Sequence, residues 1–421
     1  MKNVSIASDD FLTGTPKPSR LAALARGAVH RRLEAIEDGC LILREGGDEF
    51  RFGDRESPLC AAISILDPQF YSEVAFGGAI GGGEAYFRGY WQSDSITNVV
   101  RVLARNRGAL ENMESGSARL TRPLQRAFHW LNRNTQRGSR RNISAHYDLG
   151  NDFFELWLDE RMQYSSAIFE APDLSLDAAQ EAKLERLCRK LSLTADDHLL
   201  EIGTGWGGLA IYAATHYGCR VTTTTISREQ HDYAKARIQE AGLEDRITLL
   251  MQDYRDLDGH YDKIVSVEMF EAVGHRFHGT FFEKCRDLLK PDGLMALQTI
   301  TIADQRYEKA KNSVDFIQRY IFPGGCLPSL TSMTQSLTEN TDLRLTHVED
   351  IGPHYATTLK RWHERFSEKI EDITRQGYSQ EFIRLWEYYL CYCEGGFLER
   401  VIGNVQVIAR RPLNRDEPFL T

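Results

Sequence analysis

Apolar and polar positions divide the chain into two regimes. Up to about residue 115 the apolar residues come in short runs with frequent turn signals. Residues 21–36 have helical spacing, and residues 40–43 and 49–52 alternate about Glu45-Gly46-Gly47-Asp48, the pattern of a β-hairpin. Residues 61–66 continue the β pattern and residues 70–76 begin a helix. Gly77, Gly78, Gly81, Gly82 and Gly83 then precede Tyr86, Phe87, Tyr90 and Trp91, a composition that predicts tight turns and a mobile backbone. Those aromatics fit an apolar pocket, a lipid-facing surface or plain core. Asp94, Ser95 and Thr97 mark a helix start before residues 99–105.

Beyond residue 142 strands and helices alternate. Helices are predicted at 143–158 and 178–191, then strand 199–202, helix 209–216, strand 220–226, helix 228–241 and strand 247–251. Strand 261–268, helix 278–289, the turn Lys290-Pro291-Asp292-Gly293 and strand 294–302 follow. Late strands at 343–349 and 405–410 flank a helical block at 358–395. Such alternation implies an α/β fold, a Rossmann-like, doubly wound parallel sheet. The expected division is a small α+β N-terminal domain at 1–115, a basic helical linker at 116–142 and a larger domain at 143–421.

The stretch Leu199-Leu200-Glu201-Ile202-Gly203-Thr204-Gly205-Trp206-Gly207-Gly208 is the centre of the second regime. A strand, a glycine turn and a helix start together cradle a nucleotide-like ligand. Gly203, Gly205 and Gly208 match the dinucleotide fingerprint. Two details favour S-adenosylmethionine instead. Glu201 stands two residues before the first glycine, and the next strand ends in Thr223-Thr224-Thr225-Ile226-Ser227 without an acid for a ribose. A dinucleotide or a ligand-free turn remains an alternative at this point.

Length and charge narrow the class. The chain has 421 residues, room for two domains, and 42% hydrophobic residues. No apolar run is long enough to span a bilayer, and the polar N-terminus has no signal-peptide pattern, so a cytoplasmic protein is expected. The first 20 residues read as disordered. Eight cysteines without C-x-x-C spacing predict reduced thiols and no structural zinc. A net charge of −9 argues against nucleic acid as a partner. Ten of the residues from Arg101 to Arg141 are arginine and two are acidic, a basic belt suited to anionic lipid or to an interdomain salt-bridge surface.

In an open parallel sheet the ligand sits beyond the carboxyl ends of the strands. Thr225 to Gln230, then Gln252, Asp253 and Tyr254, Glu268 to Glu271, and Gln298 to Ile302 occupy those ends. An acid or amide after the third strand suits an adenine amino group. Glu271 and His275, four apart, are expected on one helical face. With His278 they lack a third ligand in register, so a salt bridge or cap is expected and no metal.

The ordered motifs resemble the cyclopropane-fatty-acyl-phospholipid synthase family. They are His146-Tyr147-Asp148-Leu149-Gly150-Asn151-Asp152-Phe153-Phe154, Met162-Gln163-Tyr164-Ser165-Ser166-Ala167, the glycine stretch, Thr225-Ile226-Ser227-Arg228-Glu229-Gln230, Gln252-Asp253-Tyr254-Arg255-Asp256-Leu257, Phe270-Glu271-Ala272-Val273-Gly274-His275 and Tyr320-Ile321-Phe322-Pro323-Gly324-Gly325-Cys326-Leu327-Pro328-Ser329. The resemblance implies methyl transfer from S-adenosylmethionine to a cis double bond of a phospholipid acyl chain. A bound bicarbonate would then take a proton as the cyclopropane closes. By position it implies that Tyr164, Ser165, Glu201, Gly203, Gly205, Gly207, Thr225, Gln230, Gln252, Asp253 and Tyr254 hold the cofactor. Glu271, Tyr355 and the backbone near Ser166 and Ile300 would hold bicarbonate, with Gln298 beside them. Cys393 matches an active-site cysteine of the family, although the chemistry needs no covalent intermediate.

Two positions depart from the usual residues: Ser166 replaces a cysteine and Gln298 replaces a histidine. They leave ring closure, a methylene product or a methyl branch as open outcomes. A non-catalytic lipid-binding protein is the alternative of another class. Expected partners are membrane phospholipids with unsaturated acyl chains, at the inner face of the membrane, with a homodimer as a further candidate.

Overall fold

Two sheets organise residues 20–112 and 150–415, which the computed structural model describes. The expected N-terminal disorder, the basic linker, most of the basic belt and His146 to Leu149 lie outside the described residues. In the first sheet β1 (Cys40–Glu45) and β2 (Asp48–Gly53) form the predicted hairpin. β3 (Cys60–Ile65) lies parallel to β1, and β4 (Trp91–Ser93) completes the order β2-β1-β3-β4. The Ile96–Arg105 helix starts where its sequence signal placed it. The Ser95 side chain accepts from the Asn98 N–H, and Ile96, Val99 and Val102 are buried.

The glycine-rich stretch differs from expectation. It is part of the Gln69–Phe87 helix, broken at Gly78 (φ 57°, ψ −134°), rather than a series of turns. Its small residues serve close packing. A Cβ on Gly83 would lie 2.6 Å from the Phe316 ring and 2.9 Å from Tyr388. Long-range contact has overridden poor helix propensity.

The second sheet contains β5 (His198–Ile202), β6 (Arg220–Thr225), β7 (Ile247–Met251), β8 (Tyr261–Val267), β9 (Leu289–Ile302), β10 (Arg344–Asp350) and β11 (Ile402–Arg410). Their order is β10-β11-β9-β8-β5-β6-β7, with β5 to β9 parallel and β11 antiparallel to both of its neighbours, β9 and β10. The predicted turn at residues 290–293 is a bulge within β9. Its pairing with β8 jumps from Tyr261↔Leu289 to Lys263↔Leu294. The chain leaves β5 for β6 and β7, then returns to place β8 on the other side of β5. The β5/β8 boundary is therefore the switch point where such sheets bind ligands.

One apolar cluster joins the first sheet to the helices beside the second. Tyr71, Trp91 and Val102 belong to it together with Trp157, Trp362 and Trp386. The aromatics of the late helices are core, packing on rings from both parts: Trp157 lies 5.7 Å from Trp362, Phe316 4.8 Å from Tyr388, and Tyr86 5.7 Å from Tyr388. Truncating a ring in such a cluster costs about 3–5 kcal/mol. Arg101 and Arg105 both pair with Glu399, the residue ending the Gln380–Leu398 helix.

Candidate active site

The glycine turn is built by the backbone. β5 carries fully buried Leu199 and Leu200 to the edge of the core, where Gly203, Gly205 and Gly207 take φ of 106°, 52° and 89°. A Cβ on Gly203 would also lie 3.2 Å from Cβ of Met269. The N–H groups of Gly203 and Thr204 donate to the Thr224 carbonyl (3.1 and 3.0 Å), tying the turn to β6. The Gly208–Tyr217 helix starts without a side-chain cap, so its first-turn N–H groups lack intrahelical acceptors. Gly208 permits a close approach: a Cβ there would be 2.2 Å from Gln163 Nε2 and 2.7 Å from the Arg161 carbonyl. Trp206 Nε1 donates to Asn151 Oδ1 (2.7 Å), linking the turn to the described end of the first motif.

The other predicted cofactor residues follow β5, β6 and β7, three neighbouring strands. Buried Glu201 accepts from the Thr223 hydroxyl (2.6 Å), and burial pushes its carboxyl up to about 8. Thr225 donates to Gln230 Oε1 (2.9 Å). Gln252 donates to the Asp256 carbonyl (2.6 Å). Asp253 accepts from the Arg255 N–H and guanidinium (3.0, 2.8 and 2.7 Å), and the Tyr254 ring meets Phe281 edge-on. On the facing segment the hydroxyls of Tyr164 and Tyr389 are 2.8 Å apart, and Ser165 Oγ accepts from Lys183.

A second structure stands at the end of β8. Glu268 has φ 49°, and its backbone N–H donates to the Gln298 carbonyl (2.8 Å). Four donors converge on its carboxylate. Oε1 accepts from the Ser166 N–H (3.0 Å), Gln298 Nε2 (2.9 Å) and Asn404 Nδ2 (2.6 Å); Oε2 accepts from the Tyr355 hydroxyl (2.7 Å). Of the predicted catalytic residues, Ser166, Gln298 and Tyr355 thus meet at one side chain. Glu271 lies beside it, and its Oε1 accepts from the Thr299 hydroxyl (2.9 Å) and the Ile300 N–H. Its Oε2 is buried with no hydrogen-bond partner among the described residues. Burial, reinforced by the Glu268 charge, pushes the Glu271 carboxyl up to about 8. Cys393 is coupled electrostatically to Tyr389 and Tyr355, and burial pushes its thiol well up, away from the thiolate a nucleophile needs. Glu271 and His275 do not share a helical face. Gly274 (φ 79°) separates two short 3-10 turns, and His278 stacks on Phe270 (4.3 Å) instead.

Two buried lysines that the motifs did not mark orient this site. Lys183 donates to Gln163 Oε1 (2.6 Å) and Ser165 Oγ (2.8 Å). Burial pushes its ammonium down to about 8, against the charges of Glu268, Asp159 and Glu201. Lys190 donates to Gln406 Oε1 (2.7 Å), Gln406 Nε2 to Gln298 Oε1 (2.9 Å), and Gln298 Nε2 to Glu268. An ammonium can only donate, so each amide in turn must present its oxygen backward and its NH₂ forward. The relay delivers a donor to Glu268. Its sequence signal is two lysines, seven apart, on the apolar stripe of the Leu176–Lys190 helix that also buries Leu176, Leu184 and Leu187. Glu268 itself was visible as a strand-end acid, without a role.

Comparison with known proteins now decides the family. The family model described as mycolic acid cyclopropane synthetase matches residues 134–407. The chain belongs to this family. It is 40% identical over 407 residues to the tuberculostearic acid methyltransferase UfaA1 of Mycobacterium tuberculosis, covering 94% of each chain. It is 39% identical to the cyclopropane-fatty-acyl-phospholipid synthase of Escherichia coli, covering 83% of this chain and 88% of that one. Among solved structures, the mycolic acid cyclopropane synthase CmaA1 complexed with SAH and CTAB is 32% identical, with a TM-score of 0.60 over 64% of this chain and 98% of that one. The cyclopropane synthase MmaA2 of M. tuberculosis aligns equally well, at 31% identity and a TM-score of 0.60, covering 64% of this chain and 98% of that one. The mostly parallel seven-stranded sheet is the S-adenosylmethionine-dependent methyltransferase fold of these synthases, and the chain is a methyltransferase of their family. No helix among the described residues is long and apolar enough to cross a membrane.

Proposed function

We propose that the chain methylates the cis double bond of an unsaturated phospholipid acyl chain and closes it to a cyclopropane. The observation that carries this reading is the carboxyl pair Glu268 and Glu271, joined to the glycine turn through Met269, which packs against Gly203. S-adenosylmethionine supplies the electrophilic methyl group. Its binding residues would be the turn Gly203, Gly205 and Gly207, with Glu201, Thr225, Gln230, Gln252, Asp253 and Tyr254 at the strand ends and Tyr164 and Ser165 facing them. A turn of left-handed glycines, open to close approach, and an uncapped helix start fit that ligand. An alkene is a weak nucleophile, so reaction needs alignment in a water-poor site and negative charge beside the cation that forms. Glu268 provides that charge, and the rings of Tyr164, Tyr355 and Trp362 provide π-faces and exclude water. The residues expected to hold bicarbonate do not fit it as an additional ligand, since Ser166, Gln298 and Tyr355 already donate to Glu268. No step is assigned to it.

The full-length match to a tuberculostearic acid methyltransferase supports a second reading, a methyl-branched or methylene product. Both readings place the substrate at a membrane surface, and exposed Leu24, Leu66 and Phe76 in the N-terminal part suit peripheral docking. Purified protein incubated with S-adenosylmethionine and dioleoyl phospholipid vesicles should add one CH₂ unit per modified acyl chain. Upfield cyclopropane protons in the NMR spectrum would support ring closure; vinylidene protons would select the second reading. Unchanged acyl mass would refute both.

A further inference from the structure

The donors that an external anion would need are already spent on a side chain. Ser166 N–H, Gln298 Nε2, Asn404 Nδ2 and the Tyr355 hydroxyl come from four separate segments and meet on one carboxylate. The backbone beneath that side chain is left-handed, at φ 49°. A non-glycine residue held there costs about 1 kcal/mol and persists where the surroundings over-determine it. The relay from Lys190 through Gln406 fixes the donor end of Gln298 toward this carboxylate, so the site is polarised for an anion before any ligand arrives.

We infer that Glu268 is a built-in replacement for bicarbonate: its carboxylate removes the proton from the newly transferred methyl group. The inference rests on the acyl methylation proposed above. The two carboxylate oxygens differ in a way that suits the task. Oε1 accepts three hydrogen bonds and is saturated, whereas Oε2 accepts one, from Tyr355, and keeps a lone pair for a proton. Glu268 is partly exposed, whereas Ser166, Gln298 and Asn404 behind it are fully buried, so of these four residues it is the one an approaching group can reach. Methyl transfer leaves a cation on the neighbouring acyl carbon. A C–H bond of the new methyl then breaks, its proton bonds to Glu268 Oε2, and its electron pair forms the third ring bond to the cationic carbon. If a hydride first shifts between the two acyl carbons, the same pair forms an exocyclic C=C bond. Either way one proton rests on Glu268 and returns to solvent before the next turnover. After a hydride shift the methyl C–H bond is adjacent to the cationic carbon and strongly acidic; in direct ring closure it lies one carbon further away, so the carboxylate must be held against it as the ring bond forms. Glu271 remains as a second carboxyl held in place by Thr299 and Ile300.

The test compares wild type with Glu268→Gly, a change that suits the left-handed backbone and opens the anion site. In degassed, bicarbonate-depleted buffer, wild-type turnover should stay within about twofold of its value in added bicarbonate, and Glu268→Gly should fall by about 100-fold or more. Added bicarbonate or formate should restore the variant about tenfold or more, because either anion can occupy the donors. A readout without acyl substrate uses ¹³C-bicarbonate line-broadening: none with wild type, and broadening with Glu268→Gly that Tyr355→Phe in the same chain removes. Wild-type turnover that collapses on depletion would overturn the inference, as would site-specific broadening with wild type or a Glu268→Gly variant fully active without an anion. A wild type that methylates no acyl chain would refute the proposed function, while the anion measurement would still report on Glu268.

Discussion

The glycine turn after β5 and the carboxylate cluster after β8 are neighbours at one switch point, yet they are made of different materials. The turn uses backbone: three residues with positive φ and a helix start without a cap. Few side chains could stand there, and none is needed. The cluster uses side chains and one N–H, brought from β9, β11, the Gly352–Glu368 helix and the segment at Ser166. A nucleotide-like ligand carries its own varied groups, and a backbone bare of side chains beside an uncapped helix start suits it. A transient cation needs charge of fixed position, which only a preorganised side-chain network provides. Lys183 stands between the two, since Gln163 and Ser165, its acceptors, belong to the segment that packs against Gly208 and ends at Ser166.

That contrast breaks most readily at Lys183. Lys183→Met leaves the buried oxygens of Gln163 and Ser165 without their donor and should lower stability by about 3–5 kcal/mol. Cofactor affinity and turnover should weaken together. Urea unfolding and isothermal titration with S-adenosylhomocysteine read both, and a variant impaired in one alone would show that the two regions do not share a foundation. Tyr355→Phe removes the single donor to Glu268 Oε2 and should cost about 1.5–3 kcal/mol of turnover, roughly 10- to 100-fold. Its cofactor dissociation constant should stay unchanged; a parallel loss of binding would place Tyr355 in the cofactor site. Gly203→Ala is the mirror experiment. With φ 106° and Met269 at 3.2 Å, it should weaken cofactor binding by about 1–2 kcal/mol, while turnover at saturating cofactor changes little.

A pH slope reads the cluster without a change in its donors. The Glu271 carboxyl titrates near 8 in the folded chain against an ordinary 4.5. Between those values the folded chain keeps a proton that the unfolded chain has released, so this group's contribution to stability is full below pH 4.5 and is lost as pH rises toward 8. Glu271→Gln should flatten that fall, measured as the difference in urea midpoint between pH 5 and pH 8. Buried Glu201 acts in the same direction and will leave a residual slope. A variant with the wild-type slope would mean that Glu271 titrates in its ordinary range.

The two regions also differ in how far they could be read from residues in a row. β5, its glycines and the following helix are consecutive, and their apolar spacing and turn chemistry act locally. The hairpin at Glu45 to Asp48 and the Ser95 cap were legible for the same reason. The start of the Gln69–Phe87 helix was legible but its glycine-rich second half was not, because Gly83 answers to Phe316 and Tyr388, more than 200 residues away. The expected face shared by Glu271 and His275 failed because Gly274 interrupts the helix. Lys183 and Lys190 read as two charges among many; only burial against Gln163 and Gln406 turns them into donors of fixed direction.

Sequence by itself determined the alternating sheet, the position of the glycine turn, and several of the residues that converge beside it, since each follows from short-range pattern or from an ordered motif. The tertiary structure decided what those residues converge on. Ser166, Gln298, Asn404 and Tyr355 are spread over 239 positions, and no local rule relates them. Strand order places β9 next to β8 and β11 next to β9, and the resulting register puts their polar groups around Glu268. Hydrogen bonding then assigns the roles: buried donors must find acceptors, and the carboxylate at the end of β8 is the acceptor within their reach.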